Sequence, residues 1–363
     1  MGREGKASLL YIMGIDWNWI FQRPQIIAHY LEQSYEVTVV FPQSVLKLFH
    51  RKKEDYPKQY QILWTLPFQE KISIIGKLSR LLNRHIFRGV LGYEMIVIGF
   101  PLYYRYIPRN YCGTLIYDCM DNHEALYRYR RGVPELLRQE KELIAHSSLV
   151  FTSSLQLMKK LQQYKIDTMP QIILMRNGVM EAEKLQPIAC PIHKALHEIG
   201  YFGTIAEWFD KKLILESLQL IDDIEYHLIG PVNIELPGDE GRLIAEGVIC
   251  HEQLYDAVKS YSCLIMPFLV NETVMCVDPV KLYEYIAMGK CIIAVFYEEI
   301  ERFQDFVYFY HSGQEYICLL KELKRKGFPP KYNERQRQAF LEENSWAARF
   351  AVWDKAVRET RNK

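Results

Sequence analysis

Residues 278–296, DPVKLYEYIAMGKCIIAVF, restrict the fold of this chain more than any other stretch. Asp278 suits a helix N-cap, and Pro279 suits the first helical position, where a missing N–H costs nothing. Gly289 fits the left-handed residue that ends a helix, and residues 291–296 are an unbroken apolar run of strand length. The pattern predicts a helix with both ends marked, followed directly by a buried strand.

The predicted helix carries two charged residues on one face near its beginning. Lys281 lies next to the N-terminus, and Glu284 lies one turn further on. Free N–H groups at a helix N-terminus favour a phosphate, a lysine adds to this, and a carboxylate one turn deeper can accept both hydroxyls of a ribose. Asp278, Pro279 and Val280 at the helix start therefore join these two residues as candidate ligand-binding residues. The alternative is that Lys281 and Glu284 form only a solvated ion pair.

Length indicates a protein of two domains, and composition gives no sign of a partner that is bound through the overall charge of the protein. A chain of 363 residues is too long for one ordinary core. Its formal net charge of +1 gives no reason to expect binding of nucleic acid through overall charge. The eight cysteines are scattered without a CxxC pair, which indicates reduced residues in a cytosolic protein and neither a disulfide framework nor a zinc site.

The sequence predicts no targeting segment and no membrane span. The apolar run near the start is too short for a signal peptide, and no stretch reaches the roughly 18 apolar residues of a membrane-spanning helix. We therefore expect a cytoplasmic protein, with the inner face of the plasma membrane as the one membrane surface it can reach.

One segment suggests how such a surface would be reached. Residues 71–88, KISIIGKLSRLLNRHIFR, contain five lysines and arginines and no acidic residue, and their apolar residues recur at helical spacing. A peripheral protein rests on an anionic membrane through a basic amphipathic helix of this kind. The alternative is a helix packed on its own domain with its charges in water. Nucleic-acid binding is not expected here, because no recognised module accompanies the segment.

Short apolar strands alternate with amphipathic helices, which predicts an α/β fold with parallel sheets. A first series of strands is predicted at residues 8–13, 35–41, 95–100, 114–118, 149–153 and 172–175. A second series is predicted at residues 199–202, 226–229, 247–250, 263–267, 291–295 and 307–310. The helices are predicted at residues 25–33, 134–146, 155–164, 211–220, 253–260, 278–288 and 333–358.

The two series predict two doubly wound, Rossmann-like domains that face each other across a cleft. Residues 181–197 lose their periodicity and contain two prolines, so we expect the linker there. The first domain would comprise residues 1–182 and the second residues 196–332, with a C-terminal helix in residues 333–363. Ligands of such sheets bind beyond the carboxyl ends of the strands.

The second series opens with a glycine directly after a strand, in the sequence IGYFGTIAEWFD. Gly203 would let a ligand phosphate approach the backbone. Thr204 comes directly after it, and Lys211 begins the next predicted helix. A loop at His251, between a strand and a helix, can contact a nucleotide base. Many strand-to-loop junctions look alike, and a histidine at this position can equally serve only to start the helix.

The first series places three polar residues after a strand, in the sequence YDCMDNHEAL. Asp118, Asp121 and His123 would face the cleft, and one of them could accept a proton from an acceptor hydroxyl. The alternatives are a helix N-cap or an Asx turn. Asp, Asp and His could also ligate a divalent ion, although we predict no metal site.

An aromatic and polar patch follows the first strand, in the sequence IDWNWIFQRPQ. Asp16, Trp17, Trp19 and Arg23 combine ring faces, a carboxylate and one cation, which suits a sugar and its hydroxyls. We predict that these residues bind the acceptor. Burial of the tryptophans in the core is the alternative.

These segments, taken in order, resemble GT-B glycosyltransferases, and within them the family-4-like bacterial enzymes of polysaccharide and teichuronic-acid assembly. The resemblance covers nearly the whole chain. The matching segments are FQRPQIIAHYLEQSYEVTVVFP, LVFTSSLQLMKKL, RNGV, YFGTIAEWFD, GVICHEQLYDAVKSYSCLIMPF and DPVKLYEYIAMGKCIIA. The last of these is the most specific.

The resemblance implies a hexosyltransferase that uses a nucleotide-sugar donor, UDP-linked, as its co-substrate and needs no other cofactor. The C-terminal domain would bind the donor, with Glu284 on the ribose hydroxyls, Lys281 on the diphosphate and the 250–252 loop on the base. The N-terminal domain would bind a glycan or a lipid-linked acceptor in the synthesis of a cell-surface polysaccharide. The C-terminal helix would return to the first domain.

The sequence departs from the family pattern at three positions. Cys276 stands where the family has the first of two glutamates, Thr204 stands near an expected basic residue, and Met180 follows the NGV turn in place of aspartate. A retaining and an inverting outcome both stay open, the latter with a carboxylate base at Asp118 or Asp121. Two further alternatives share the architecture: a non-hydrolysing sugar-nucleotide epimerase and a catalytically inactive assembly module.

Overall fold

The computed structural model describes residues 6–49, 56–69, 72–128, 132–179, 187–188, 196–236 and 241–362, without the side chains of residues 48, 49, 251 and 252. The chain divides into two compact units. One comprises Met1–Arg176 and Val352–Lys363, and the other comprises Asn177–Ala351. The linker predicted at residues 181–197 lies mostly outside the described residues.

The described part of the first unit contains a parallel sheet of seven strands in the order β3-β2-β1-β4-β5-β6-β7. The strands are β1 (Ser8–Ile12), β2 (Glu36–Ser44), β3 (Tyr60–Thr65), β4 (Met95–Ile98), β5 (Thr114–Cys119), β6 (Leu149–Thr152) and β7 (Gln171–Leu174). The central strands are buried along their whole length, as expected for a sheet covered on both faces. The helices are α1 (Arg23–Ser34), α2 (Ser73–Asn83), α3 (His123–Leu126), α4 (Val133–His146) and α5 (Leu155–Gln162).

The described part of the second unit contains a parallel sheet of six strands in the order β10-β9-β8-β11-β12-β13. The strands are β8 (His197–Phe202), β9 (Ile224–Ile229), β10 (Leu243–Gly247), β11 (Cys263–Met266), β12 (Cys291–Val295) and β13 (Tyr308–Tyr310). The helices are α6 (Lys211–Leu220), α7 (His251–Ala257), α8 (Val280–Ala287), α9 (Gly313–Arg325), α10 (Glu334–Glu343) and α11 (Trp346–Arg361). In each sheet the strand order reverses beside the first strand of its series, which is where doubly wound folds bind ligands.

The α/β class and the parallel sheets are confirmed, and two edge strands differ from the prediction. β3 is missing from the prediction because its sequence, YQILWT, mixes polar and apolar residues at the edge of the sheet. The strand predicted at residues 247–250 lies earlier, at β10, where LIAEG is half exposed at the other sheet's edge. Edge strands bury one side less completely than central ones, so their apolar signal is weaker.

The prediction of one long C-terminal helix is wrong, because the helix breaks at Asn344. Asn344 is the C-cap of α10, and its side-chain amide donates to Phe340 O at 2.9 Å. Ser345 then accepts a hydrogen bond from Ala348 N at 3.2 Å and so starts α11. From Val352 onward α11 belongs to the first unit, where Trp353 stacks on Phe151 with ring centroids 4.4 Å apart.

The helices of the described residues include none that is both long and apolar enough to cross a membrane. The described cysteines carry free thiols, and four of these residues are buried in the cores: Cys119, Cys263, Cys276 and Cys291.

Candidate active site

Two glycines pack backbone against backbone at the carboxyl ends of β8 and β9. Gly203 follows β8 with a φ of 127°, and Gly230 follows β9 with a φ of 135°. Gly203 N donates to Ile229 O at 2.8 Å, and a Cβ on Gly230 would lie 2.3 Å from Gly203 O. Both positions therefore need glycine, for conformation and for space. They bring the backbones that follow β8 and β9 into close contact at the carboxyl edge of the second sheet.

The side chain of Lys281, from the first turn of α8, lies over Gly203. A Cβ on Gly203 would come within 2.2 Å of Lys281 Cε and 2.7 Å of its Nζ. The ammonium also lies 5.6 Å from the ring centroids of both Tyr201 and Phe268. Two residues that the sequence suggested separately, Gly203 and Lys281, are thus brought together. We refer to Gly203, Gly230 and Lys281 as the glycine–lysine cradle.

The ammonium of the cradle has no counter-ion among the described residues. No carboxylate of that part of the chain lies within ion-pairing distance of Lys281 Nζ. Burial lowers the pKa of Lys281 below the ordinary lysine value, and the negative charge of Glu284 partly opposes this. An anionic ligand at the cradle would restore the favourable environment that the cation lacks.

The N-terminus of α8 supplies backbone donors at the same turn. Pro279 is the N-cap, Val280 is the first helical residue, and no side chain caps the helix. The first N–H groups of a helix have no intrahelical partner, and the helix dipole favours an anion near them. Lys281 and this helix start therefore combine into a site suited to phosphate. Glu284 lies one turn further along α8 and is partly buried.

Asp278 differs from its prediction, because its carboxylate does not cap α8. It is 3% exposed and accepts hydrogen bonds from Asn177 N at 2.7 Å and from Tyr283 Oη at 2.9 Å. Arg302 donates to the same carboxylate and neutralises it. Asp278 is therefore an internal anchor that fixes the start of α8, and we remove it from the ligand-binding residues.

The other candidates of the second unit contribute less to the site. Thr204 is partly buried, and its carbonyl accepts a hydrogen bond from Tyr201 Oη at 3.0 Å. Lys211 is exposed and donates to Glu235 O at 3.1 Å. His251 is the first residue of α7, and its side chain lies outside the described part of the structure. Neither Thr204 nor Lys211 has a side-chain hydrogen bond to the cradle in the described structure.

In the first unit, two predicted site residues from different groups are partners of each other. Arg23 Nη2 donates to Asp118 Oδ1 at 2.6 Å, and Nε lies 3.1 Å from Oδ2. The two side chains are 3% and 1% exposed, and Arg23 Nη1 also donates to Met175 O at 2.8 Å. A buried carboxylate needs such a partner. The roles predicted for Asp118 as a base and for Arg23 as an acceptor contact are therefore not supported by the geometry.

Asp121 and His123 remain chemically available. The Asp121 carboxylate makes no hydrogen bond to a described residue, and burial raises its pKa, which the charges of His123 and Arg23 oppose. His123 is 4% exposed and packs edge-on against Phe100, with ring centroids 5.3 Å apart. Neither of its ring nitrogens has a hydrogen-bond partner in the described structure, and burial lowers its pKa, which the charges of Glu140 and Asp121 oppose.

The unpaired imidazole is an unusual feature, because a buried polar group without a partner costs about 1–3 kcal/mol. Capping, the alternative interpretation of this loop, is carried out by Asn122, whose side chain accepts from Ala125 N at 3.3 Å. His123 and Asp121 are therefore free for a ligand at the carboxyl end of β5.

The aromatic patch after β1 is divided by the structure. Trp17 is 8% exposed and packs edge-on against His29, so burial is the correct interpretation for this tryptophan. Trp19 is 49% exposed and remains available to an acceptor. Asp16 accepts hydrogen bonds from Asn18 N at 3.0 Å and from Lys47 Nζ at 2.7 Å.

Two functional features escaped the sequence analysis. Gly230 follows β9 as Gly203 follows β8, so the repeated strand-then-glycine pattern, YFG and LIG, was the available signal. Asn177 of the RNGV turn clamps the α8 segment through Asp278, and its side chain donates to Asp278 O at 2.7 Å. No local pattern could reveal that contact, because it joins residues 101 positions apart.

Comparison with known proteins identifies the fold. No protein-family model matches this sequence, and no curated protein matches it either. Among solved structures, sucrose-phosphate synthase from Thermosynechococcus elongatus matches with a TM-score of 0.74 at 12% identity, over 98% of this chain and 99% of that one.

Two other solved structures are similar over comparable lengths. The lipopolysaccharide outer core galactosyltransferase WaaB has a TM-score of 0.66 at 11% identity, over 97% of this chain and 99% of that one. HepE from Anabaena, solved in complex with UDP and glucose, has a TM-score of 0.63 at 13% identity, over 98% and 99%. The fold prediction, two Rossmann-like α/β domains of the GT-B type, is confirmed.

Proposed function

We propose that this chain is a glycosyltransferase that moves a hexose from a UDP-linked donor to a hydroxyl acceptor. The observation that carries the proposal is the glycine–lysine cradle, where an uncompensated ammonium lies over a glycine at a strand's carboxyl end. Two of the similar structures support it, since WaaB is a galactosyltransferase and HepE was solved in complex with UDP and glucose. A glycan or lipid-linked glycan in cell-surface polysaccharide synthesis would be the acceptor.

The chemistry follows from the charges at the cradle. When the sugar leaves, its diphosphate gains negative charge in the transition state. Lys281 and the first N–H groups of α8 would stabilise that charge in a partly desolvated position, where electrostatic interactions are stronger than in water. Glu284, one turn deeper, would accept the ribose hydroxyls of the nucleotide.

The first unit would supply the acceptor side of the reaction. Asp121 has a carboxylate without a partner in the described structure, so as a base it can take the proton of the attacking hydroxyl. His123, whose ring nitrogens have no hydrogen-bond partner in the described structure, would hydrogen-bond a sugar hydroxyl. Trp19, the exposed member of the aromatic patch, would contact a sugar face.

A nucleotide screen tests the donor site. Thermal unfolding is measured with UDP, GDP, TDP and CMP, on the wild type and on Lys281→Gln and Lys211→Gln. We expect UDP to raise the melting temperature of the wild type and of Lys211→Gln, because a ligand at 100 times its Kd adds about 2.7 kcal/mol. Lys281→Gln should lose the shift. Lys211 is the matched control, since it is an exposed lysine of the same unit that donates to a backbone carbonyl elsewhere.

The outcomes separate the proposed function from its alternatives. No shift with any nucleotide would contradict a live donor site. A shift in Lys281→Gln equal to that of the wild type would remove the cradle from donor binding. Incubation with the nucleotide sugar alone, followed by a search for an isomer, tests the epimerase interpretation.

We further propose that the enzyme works at the inner face of the plasma membrane, where a lipid-linked acceptor would be found. The support is α2, which carries exposed apolar residues beside its basic ones. Binding of the purified protein to vesicles tests this location.

A further inference from the structure

Helix α2 is packed with its polar side inward. Its buried residues are Gly76, Ser79 and Asn83. Asn83 accepts from Trp64 N at 2.9 Å and donates to Trp64 O at 2.8 Å, so the helix is attached to β3 by hydrogen bonds. A helix that packs on a domain normally places its apolar stripe against the core.

The apolar residues of α2 consequently face outward. Ile74, Leu78 and Leu81 are 77%, 57% and 66% exposed, and they recur at helical spacing on one face. The alternative, a helix packed on its own domain with its charges in water, describes the attachment to β3 and the exposed charges, but it leaves the exposed apolar residues without a role. An exposed contiguous apolar stripe marks a membrane or protein contact.

The charges around α2 select an anionic surface. Lys77 and Arg80 in α2, and Arg84 and Arg88 just after it, are exposed, and the sequence has no acidic residue from position 71 to position 93. Each lysine or arginine near an anionic bilayer contributes about 1 kcal/mol of attraction.

Part of this charge lines a cavity of about 530 Å³. The lining residues are Arg80, Arg84, Arg105, Tyr106, Glu135, Arg138 and Gln139. Stacking of Phe87 on Tyr106, with ring centroids 4.3 Å apart, fixes the segment after α2 against the segment that carries Arg105. The cavity is therefore built by two segments that pack on each other.

The cavity carries an excess of positive charge. Arg138 donates to both Glu135 oxygens at 2.8 Å and also to Glu142, so these three residues together carry one net negative charge against the three other arginines of the lining. Arg105 lies 3.9 Å from the same carboxylate, and its buried Nε has no hydrogen-bond partner in the described structure. No ion pair of the described residues involves Arg80 or Arg84.

Three guanidinium groups thus converge without sufficient counter-charge. Burial lowers the pKa of Arg105 below the ordinary arginine value, and the positive charge of Arg80 adds to this effect while Glu135 opposes it. Guanidinium groups bind phosphate oxygens through paired, charge-assisted hydrogen bonds. A phosphate group is therefore the ligand that this cavity fits best.

We propose that the cavity of Arg80, Arg84 and Arg105 binds the phosphate of an anionic phospholipid headgroup while the outward face of α2 enters the bilayer. The apolar stripe identifies the lipid as the source of the phosphate, because a soluble phosphate would need no exposed leucines beside its site. This inference rests on the membrane location proposed above, but its surface is separate from the glycine–lysine cradle, so its failure would leave the donor site untouched.

Vesicle flotation of the full chain tests the proposal without any activity assay. The vesicles contain phosphatidylcholine alone or phosphatidylcholine with phosphatidylglycerol. Arg80→Gln/Arg84→Gln removes two cations that line the cavity, and Lys77→Gln/Arg88→Gln removes two from the same segment that do not. Leu78→Gln/Leu81→Gln tests the apolar stripe, with Leu220→Gln, an exposed leucine of α6 (54%), as its control.

We expect the wild type to bind only the anionic vesicles. Arg80→Gln/Arg84→Gln should weaken binding at least about tenfold more than Lys77→Gln/Arg88→Gln, because a charge-assisted hydrogen bond contributes more than diffuse attraction. Leu78→Gln/Leu81→Gln should abolish binding, and Leu220→Gln should leave it unchanged. All these residues are exposed, and circular dichroism checks that each variant folds.

Four results would overturn the proposal. If Arg80→Gln/Arg84→Gln and Lys77→Gln/Arg88→Gln lose vesicle binding equally, the basic surface is diffuse and has no headgroup site. Full binding by Leu78→Gln/Leu81→Gln would remove α2 from the bilayer. Equal binding to neutral vesicles would remove the phosphate requirement. Stabilisation by inorganic phosphate that needs Arg80 and Arg84, without any vesicle binding, would assign the cavity to a soluble phosphate.

Discussion

Arg23 of the first unit and Lys281 of the second are both cations at the carboxyl end of a parallel sheet, yet they are used differently. Arg23 forms a buried ion pair with Asp118 and donates a hydrogen bond to Met175 O. Lys281 has no ion-pair partner in the described structure and lies over Gly203. A charged residue at such an edge therefore becomes a candidate for ligand binding only when the fold leaves its charge uncompensated.

Asp278 and Asp121 repeat the contrast with carboxylates. Asp278 is buried and held by Asn177, Tyr283 and Arg302. The Asp121 carboxylate makes no hydrogen bond within the described residues, and burial raises its pKa. Asp278, whose carboxylate is paired within the fold, should contribute to the free energy of unfolding. Asp121, whose carboxylate has no hydrogen bond there, should contribute to the turnover rate.

The largest expected effect is on the free energy of unfolding, at the buried Arg23–Asp118 ion pair. Asp118→Asn leaves the Arg23 guanidinium buried without a counter-charge, which costs about 3–5 kcal/mol. Urea unfolding measures this loss. The control is Asp16→Asn, because Asp16 pairs with a half-exposed lysine, and it should cost less than about 1 kcal/mol. Equal losses in the two variants would show that the Arg23–Asp118 pair is not structurally decisive.

The next effect is on turnover, at the unpaired carboxylate. If Asp121 is the base, Asp121→Asn should lower kcat about a hundredfold or more while donor affinity stays unchanged. The raised pKa of Asp121 adds a signature in the wild type: kcat should increase as pH rises through that value, because the base must lose its proton. The kcat–pH profile measures both, and an unchanged kcat in Asp121→Asn would remove it from the chemistry.

A smaller effect is expected at the cradle itself. Gly203→Ala places a Cβ 2.2 Å from Lys281 Cε at a φ of 127°, so it should displace the lysine and reduce UDP affinity by roughly tenfold. Backbone strain adds a stability loss of about 1–3 kcal/mol. Thermal unfolding and calorimetric titration with UDP measure the two effects.

Gly327→Ala is the control for that variant. Gly327 has a φ of 75°, but nothing lies within 4 Å of a Cβ built there. It should show the strain without any loss of UDP affinity. Loss of affinity in both variants would attribute the effect to general destabilisation, and an unchanged affinity in Gly203→Ala would contradict the cradle.

The sequence predicted the fold well because its signals are local. Apolar runs such as residues 291–295 and glycines after strands depend on neighbours along the chain. The site was predicted only in part, because the fate of a charge depends on distant residues. Nothing in the sequence near Asp118 reveals that it will form an ion pair with Arg23, 95 positions away. The sequence suggested Lys281 and Gly203 separately, and only the fold shows that they lie together and that the lysine has no ion-pair partner in the described structure.

The smallest expected effect concerns pH and tests whether that charge is used. Burial lowers the pKa of Lys281, so its ammonium is lost at a lower pH than that of an ordinary lysine. The affinity of the wild type for UDP should therefore fall as pH rises above neutral, by at most roughly tenfold, at a lower pH than an ordinary lysine would cause. The titrations stay below the pH at which the uracil N3–H of UDP ionises, and the diphosphate is already ionised there, so the lysine carries the change.

Lys281→Arg should remove the pH dependence, because a guanidinium stays protonated throughout. Calorimetric titrations at four pH values compare the two proteins. If both lose affinity in parallel, another group titrates and the ammonium of Lys281 does not contact the ligand. If only the wild type loses affinity, the ammonium of Lys281 contacts the nucleotide. Arg23 differs, because its charge is already paired within the fold.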